Sequence, residues 1–241
     1  MLSQLNLSFV LVVAVLVALV FRPPLHGVGF FSKNKNKLNA SIKQYGIDVS
    51  HHQGQINWPL VKDNISFAFI KATEGTDFVD PRYVENSKGI IKEGLLSGAY
   101  HFYKPTQDPI KQAEHFITTS QPLEHKLRPV LDIEITDGQS AKEISSGALE
   151  WLKHVEKKID CKPMIYTYAS YWDDYLGNEF DNYNYWIAAW TSKNMPVPPK
   201  KRDNWQLWQF SDNGQVKGIK GSVDRDLFDG TKQKLDEILC P

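Results

Sequence analysis

Cysteine is scarce: Cys161 and Cys240 are the only two in the chain. Two cysteines cannot staple a small disulfide scaffold, and no partner residues accompany them at zinc-site spacing. An excess of charge of either sign is also missing. The 28 Lys and Arg balance 28 Asp and Glu, with a pI near 7.1. No net field exists to hold a polyanion, so no nucleic-acid partner is expected. Internal repeats and low-complexity tracts are absent. Aromatic residues, in contrast, are plentiful: seven Trp, ten Tyr and twelve Phe among 241 residues. That much apolar area excludes a disordered chain and suffices for one large domain or two small ones.

The N-terminus differs from the rest. Residues 1–21 carry no charged side chain, and Phe9 to Phe21 is an unbroken apolar run. Extended back to Leu5, with only Asn6 and Ser8 interrupting, it lies between a signal-peptide core of about 7–15 residues and a spanning helix of roughly 17–25. Arg22, Pro23 and Pro24 follow where a small-residue cleavage site would stand. Residues 1–21 therefore read as a hydrophobic export signal, cleaved or retained as a membrane anchor, which would bring the protein to the cell envelope in secreted or anchored form. Arg22, Lys33, Lys35 and Lys37 follow the run and leave its orientation open. Residues 22–42, with Pro-Pro and a Lys/Asn-rich stretch, read as a linker, and residues 43–241 as the folded domain.

From Tyr45 onward, short β-branched or aromatic runs alternate with helical patterns. Strands are expected at Tyr45–Ser50, Phe67–Thr73, Gly98–Tyr103, Pro129–Glu134, Met164–Tyr168, Tyr185–Trp190, Trp205–Phe210 and Val223–Phe228. Helices are expected over Pro81–Glu93, Pro109–Thr119 behind the N-cap Asp108, and Ser140–Lys158. Eight strands with early crossover helices imply a mixed α/β fold, a TIM-like (β/α) barrel with fewer than eight helices. Thr191 to Asn204 holds three prolines, so the last third should be irregular.

Acids cluster at the strand ends. Asp48 lies near the end of the first strand, Glu74 just beyond the second, Asp132 and Glu134 at the end of the fourth, and Asp224 in the eighth. The carboxyl ends of parallel barrel strands converge on the active-site face. Residues i and i+2 of a strand share a face about 6.6 Å apart, so Asp132 and Glu134 point together. Among apolar neighbours such a pair yields one carboxyl protonated near neutral pH beside an ionised partner, the arrangement glycoside hydrolysis requires. Asp-x-Glu alone is a weak motif; four acids at three strand ends are a stronger one.

Read in order, the motifs are Tyr45-Gly46-Ile47-Asp48-Val49-Ser50, Phe69-Ile70-Lys71-Ala72-Thr73-Glu74-Gly75 and Gly98-Ala99-Tyr100-His101-Phe102-Tyr103. They continue with Pro129-Val130-Leu131-Asp132-Ile133-Glu134, Ile165-Tyr166-Thr167 and Trp186-Ile187-Ala188-Ala189-Trp190. Last come Trp208-Gln209-Phe210-Ser211 and Gly221-Ser222-Val223-Asp224-Arg225-Asp226-Leu227-Phe228. Together they resemble glycoside hydrolase family 25, the Chalaropsis-type lysozymes that cleave peptidoglycan between N-acetylmuramic acid and N-acetylglucosamine. The resemblance implies that Glu134 is the general acid, Asp132 its partner carboxylate, and Asp48 and Asp224 the other acids of the centre. It also implies an irregular eight-stranded barrel. Two positions depart from the family: Asp226 stands where Asn is usual, and Asn57 where Asp is common.

Glu74, Tyr103, Tyr166, Tyr168, Trp190, Trp208 and Gln209 are candidate substrate-binding residues, since flat rings stack on sugar faces; the aromatic ones could equally be core. His51 and His52 are adjacent and poorly placed to share a metal, and His101, between aromatics, reads as a satisfied core histidine. No metal or cofactor is expected. The partners expected are peptidoglycan glycan strands and, through the N-terminal segment, a membrane, with the chain acting as a monomer. Two rivals stand beside this reading: a non-catalytic wall-binding barrel, which would be expected to lose an essential acid, and a chitinase, whose longer Asp-x-x-Asp-x-Asp-x-Glu motif is missing. Cys161 precedes the fifth strand and Cys240 ends the last helix. In a regular barrel these lie on opposite sides of the ring, which weighs against a disulfide although both fall toward the bottom face.

Overall fold

The computed structural model describes residues 43–121, 123–190, 196–199 and 205–241. The apolar segment at 1–21, the linker at 22–42 and most of the proline-bearing stretch 191–204 lie outside the described residues. No described helix is long and apolar enough to cross a membrane.

The strands are β1 (Gln44–Val49), β2 (Phe67–Glu74), β3 (Phe78–Val79), β4 (Leu96–Phe102), β5 (Val130–Asp132), β6 (Met164–Tyr168), β7 (Asn184–Ala188), β8 (Leu207–Gly214) and β9 (Val223–Phe228). The sheet order is β1-β9-β8-β7-β6-β5-β4-β2-β3, and pairing of β1 with β2 closes eight strands into a barrel. The two-residue β3 hangs antiparallel on β2 outside the ring; its shortness left no pattern to find. The helices are α1 (Trp58–Val61), α2 (Tyr83–Lys92), α3 (Pro109–Ser120), α4 (Ala141–Ile159), α5 (Ala169–Tyr175) and α6 (Lys232–Leu235). None lies between β7 and β9 among the described residues.

Local signals set the helix ends. Asp108 accepts from the Lys111 amide in front of Pro109, and Ser140 forms a capping box with Glu143. In α4 the residues Ile144, Ala148, Trp151, Leu152 and Val155 are buried at helical spacing, against the outer face of the strands.

The strands bury both faces. Outward residues such as Ile47, Val49, Ala68, Ile70, Leu131 and Ile165 join the layer under the helices. Inward residues Phe67, Phe69, Val130, Met164, Leu207 and Phe228 fill the lower interior. Two glycines make room there. A Cβ on Gly46 would meet the Phe67 ring at 2.2 Å, and one on Gly98 the Phe69 ring at 2.5 Å.

Two features depart from a regular barrel. First, β9 runs antiparallel to both β1 and β8. Second, Cys161 and Cys240 form a disulfide with Cα atoms 5.3 Å apart, which corrects the reading that placed them on opposite sides. The tail does not finish outside the ring. Leu235 and Ile238 plug the lower interior. The Cys240 amide then donates to the Lys126 carbonyl at 2.8 Å and the Arg128 amide to Ile238 at 3.0 Å. The tail thus crosses beneath the barrel to the β5–β6 side, where Cys161 lies.

Candidate active site

Above the apolar layers, the same strands carry polar inward residues. A cavity of about 270 Å³ opens there, lined by Asp48, Lys71, Tyr100, Asp132, Glu134, Tyr166, Trp186, Trp190, Gln209 and Asp224 among others. Strand parity accounts for the change of character. On β2 the inward series is Phe67, Phe69, Lys71, and on β5 it is Val130, Asp132 and then Glu134 just past the strand end. On β9 it is Phe228, Asp226, Asp224.

The antiparallel course of β9 is what brings Asp224 to this end. Asp224 is the second residue of β9, and a parallel strand would leave it at the bottom. Running the other way, it pairs in register with Asp48 near the end of β1. Asp132, Glu134, Asp48 and Asp224 therefore meet in one cavity.

The carboxyls have different surroundings. Asp132 is buried, and its Oδ1 has no hydrogen-bond partner among the described residues. Burial, and then the neighbouring Glu134, push its pKa well above the usual carboxylate range, while Lys71 pulls the other way. Burial also raises Glu134, again opposed by Lys71. Asp48 is raised well above its ordinary value by burial and by the charges of Asp226 and Asp224. Asp224, nearer solvent, is pushed up to about 6 by burial, with a hydrogen bond to Asp48 acting against the rise. Coupled carboxyls of this kind share out protons as a set.

Gln209 connects the walls. Its Oε1 accepts from Tyr166 Oη at 2.8 Å and from Trp190 Nε1 at 2.6 Å. An indole N–H can only donate, so the amide nitrogen must face the other way, where it donates to Asp48 Oδ2 at 2.7 Å. Tyr168 stands at the rim, 39% exposed, its hydroxyl 3.4 Å from the Glu134 carbonyl. Glu74 is not among the lining residues; it binds Lys71 at 2.7 Å and Lys104 at 3.1 Å.

Two candidate ring platforms point elsewhere. Tyr103 is buried in the outer layer, with its hydroxyl close to Gly147 of α4. Trp208 packs on Trp205 and Phe210 and donates to the Ala189 carbonyl at 3.1 Å. Adjacent strand residues alternate faces, so with Gln209 pointing in, Trp208 must point out. Tyr103 follows Phe102 by the same rule.

Several lining or underlying residues were not among the candidates. Lys71 is a buried cation held over the Phe102 ring at 4.9 Å, and its step-of-two spacing from Phe67 and Phe69 was the available signal. Trp186 and Tyr100 sit amid aromatic runs that carried no parity cue of their own. Asp226, fully buried, accepts from Trp186 Nε1 at 3.0 Å. His101 and His51 make structural contacts, while His52 lines the cavity. His101 lies between Thr73 Oγ1 and Gln112 Oε1, and burial pushes its pKa down to about 3. His51 bonds Asp80 at 2.7 Å. Among the described residues no group of three metal-donor side chains is arranged to hold an ion.

Comparison with known proteins agrees with this architecture. Residues 47–219 match the family model for glycosyl hydrolases family 25. YegX, an uncharacterised protein of Escherichia coli O157:H7, is 40% identical over 206 residues, 83% of this chain and 75% of its own. Lysozyme M1 of Streptomyces globisporus is 34% identical over 204 residues, covering 79% and 69%. The crystal structure of the bacterial lysozyme from Streptomyces coelicolor superposes with a TM-score of 0.75 at 32% identity, over 82% of this chain and 97% of that one. The closed barrel, the acids at its upper end and the match over most of the folded region lead to one conclusion: the chain belongs to glycosyl hydrolases family 25.

Proposed function

We propose that this family 25 glycoside hydrolase is a lysozyme, hydrolysing the β-1,4 bond between N-acetylmuramic acid and N-acetylglucosamine in peptidoglycan. The observation that carries the reading is the carboxyl pair Asp132 and Glu134, adjacent on one inward face of a water-accessible cavity and both raised in pKa by burial. Relatives whose names give their activity, Lysozyme M1 of Streptomyces globisporus and the N,O-diacetylmuramidase of Chalaropsis sp, support the substrate class.

Glu134, the more solvent-accessible of the pair, protonates the departing sugar oxygen. A raised pKa keeps it protonated at the pH where it works. Asp132 lies beneath it and orients the substrate acetamide, whose oxygen is an internal nucleophile toward the anomeric carbon. Asp48 and Asp224 hold the electrostatics of the opposite wall and position water. Tyr166, Trp190 and Gln209 form a bonded wall for the sugar, with Tyr168 at the rim.

Residues 1–21 serve as export signal and membrane anchor in this reading. The Cys161–Cys240 disulfide supports export, because such bonds persist in oxidising compartments outside the cytosol. The test is incubation of the chain with purified peptidoglycan and, separately, with chitin. Release of muramic-acid reducing ends from peptidoglycan alone is expected. Cleavage of chitin in preference, or binding without cleavage, would replace this reading with a rival.

A further inference from the structure

Asp226 has no role in the mechanism above, yet it is the most deeply placed acid of the site. It is completely buried, Oδ1 accepts from Trp186 Nε1 at 3.0 Å, and Oδ2 has no partner among the described residues. Strand parity puts it directly below Asp224 on the inner face of β9. The register places it opposite Gly46, two residues below Asp48 on β1, and opposite Gln209 on β8. Asp226 thus lies in the barrel interior beneath the cross-strand pair Asp48 and Asp224, which borders the cavity.

Three carboxyls this close cannot all ionise at neutral pH. Asp224 is the most solvated of the three and takes the first negative charge. The contest for a second charge is between Asp226 and Asp48. Asp226 is opposed by complete burial and by the charge of Asp224, but has an indole N–H donor and, as the smallest contribution, the attraction of Arg225, the next residue on its strand. Asp48 has the Gln209 amide and a hydrogen bond shared with Asp224, and faces the acids Asp224, Asp226 and Asp132. The phenols beside these acids, Tyr100 and Tyr166, are held neutral by burial and by the charges of Asp48, Asp132 and Asp224. We propose that Asp226 is a positioning residue for Asp48: lying below it in the barrel, it keeps the proton on Asp48, so that Asp48 donates to Asp224 and Asp224 is the carboxylate presented to the cavity. The inference rests on the proposed hydrolytic site only for its relevance to turnover. The proton arrangement itself is a property of the fold.

The test is carbon-13 NMR titration of the aspartate carboxyls in the full chain, with Asp48, Asp224 and Asp226 assigned by loss of their signals in D48N, D224N and D226N. In the wild type, Asp48 should be the last of the three to lose its acid-form signal. In the nearly isosteric D226N, the Asp48 titration should move down by about one pH unit or more, a tenfold weaker hold on its proton. An unmoved Asp48 titration in folded D226N overturns the proposal. So does a wild type in which Asp48 ionises before Asp226, a result that needs no variant of Asp226 to fold beyond its use in assignment. Neither outcome requires turnover, so failure here leaves the hydrolase reading standing. Inactivity on peptidoglycan, conversely, would leave the titration order intact.

Discussion

The lower and upper halves of the barrel interior are built by the same strands, and they differ in nearly every physical respect. Below, Phe67, Phe69, Val130, Met164, Leu207 and Phe228 pack with Leu235 and Ile238 of the tail. Above, Asp48, Asp132, Glu134, Asp224, Lys71 and Gln209 surround a cavity. The lower half gains by removing apolar area from water at about 25 cal/mol per Å². The upper half does the reverse: it buries acids whose charge the surroundings oppose. The division of labour follows: stability resides below, chemistry above, and the two should respond separately to substitution.

The sharpest separation is expected at Asp132. Asp132→Asn should lower turnover on peptidoglycan by roughly a hundredfold or more, since the amide cannot supply the carboxylate chemistry. Thermal melting should show no loss of stability, because the replaced group is a buried acid with one oxygen unpartnered. The converse change is Phe67→Ala. It should cost about 3–5 kcal/mol by denaturant unfolding, through lost burial and the cavity left behind. Turnover per folded molecule should change little.

The disulfide fastens the plug of the lower half. Replacing Cys161 and Cys240 together by serine should lower stability by about 2–4 kcal/mol, the usual range for a native bridge, here one closing a separation of 79 residues. Activity of the folded fraction should persist, and a collapse in turnover at unchanged stability would tie the two halves more closely than argued above. The smallest effect concerns Lys71, the cation that lowers both Glu134 and Asp132. Removing it in Lys71→Met raises the pKa of Glu134. A general acid works protonated and fails as pH rises past its pKa, so the alkaline limb of kcat/KM should move to higher pH, by about one unit or less. A limb that stays put or moves down would remove Glu134 as the group that governs it.

The same contrast explains what was legible in the sequence. Period-two patterns exposed the eight barrel strands and put Asp132 and Glu134 on one face, because side-chain alternation is a local property. Parity says which residues share a face and is silent on which face looks inward. Tyr103 and Trp208 were grouped with the cleft on residue type alone, whereas their neighbours Phe102 and Gln209 occupy the inward positions. The direction of β9 is another tertiary fact. Asp224 lies with the other acids at the cavity, whereas a parallel eighth strand would have carried it to the opposite end. The disulfide depended on the path of the tail beneath the barrel, which is fixed by where Leu235 and Ile238 find apolar cover. Lys71 and Asp226, each two residues from an inward neighbour on its strand, are omissions that a stricter use of alternation would have caught.

The most direct test of the account is Glu134→Gln. The amide keeps the shape of the side chain and cannot donate the proton. Hydrolysis of purified peptidoglycan should be measured for this variant beside the wild type, with melting temperatures taken on the same samples. The account predicts a loss of roughly a hundredfold or more in turnover with the fold and melting temperature retained. Near wild-type turnover from a folded Glu134→Gln protein would contradict it.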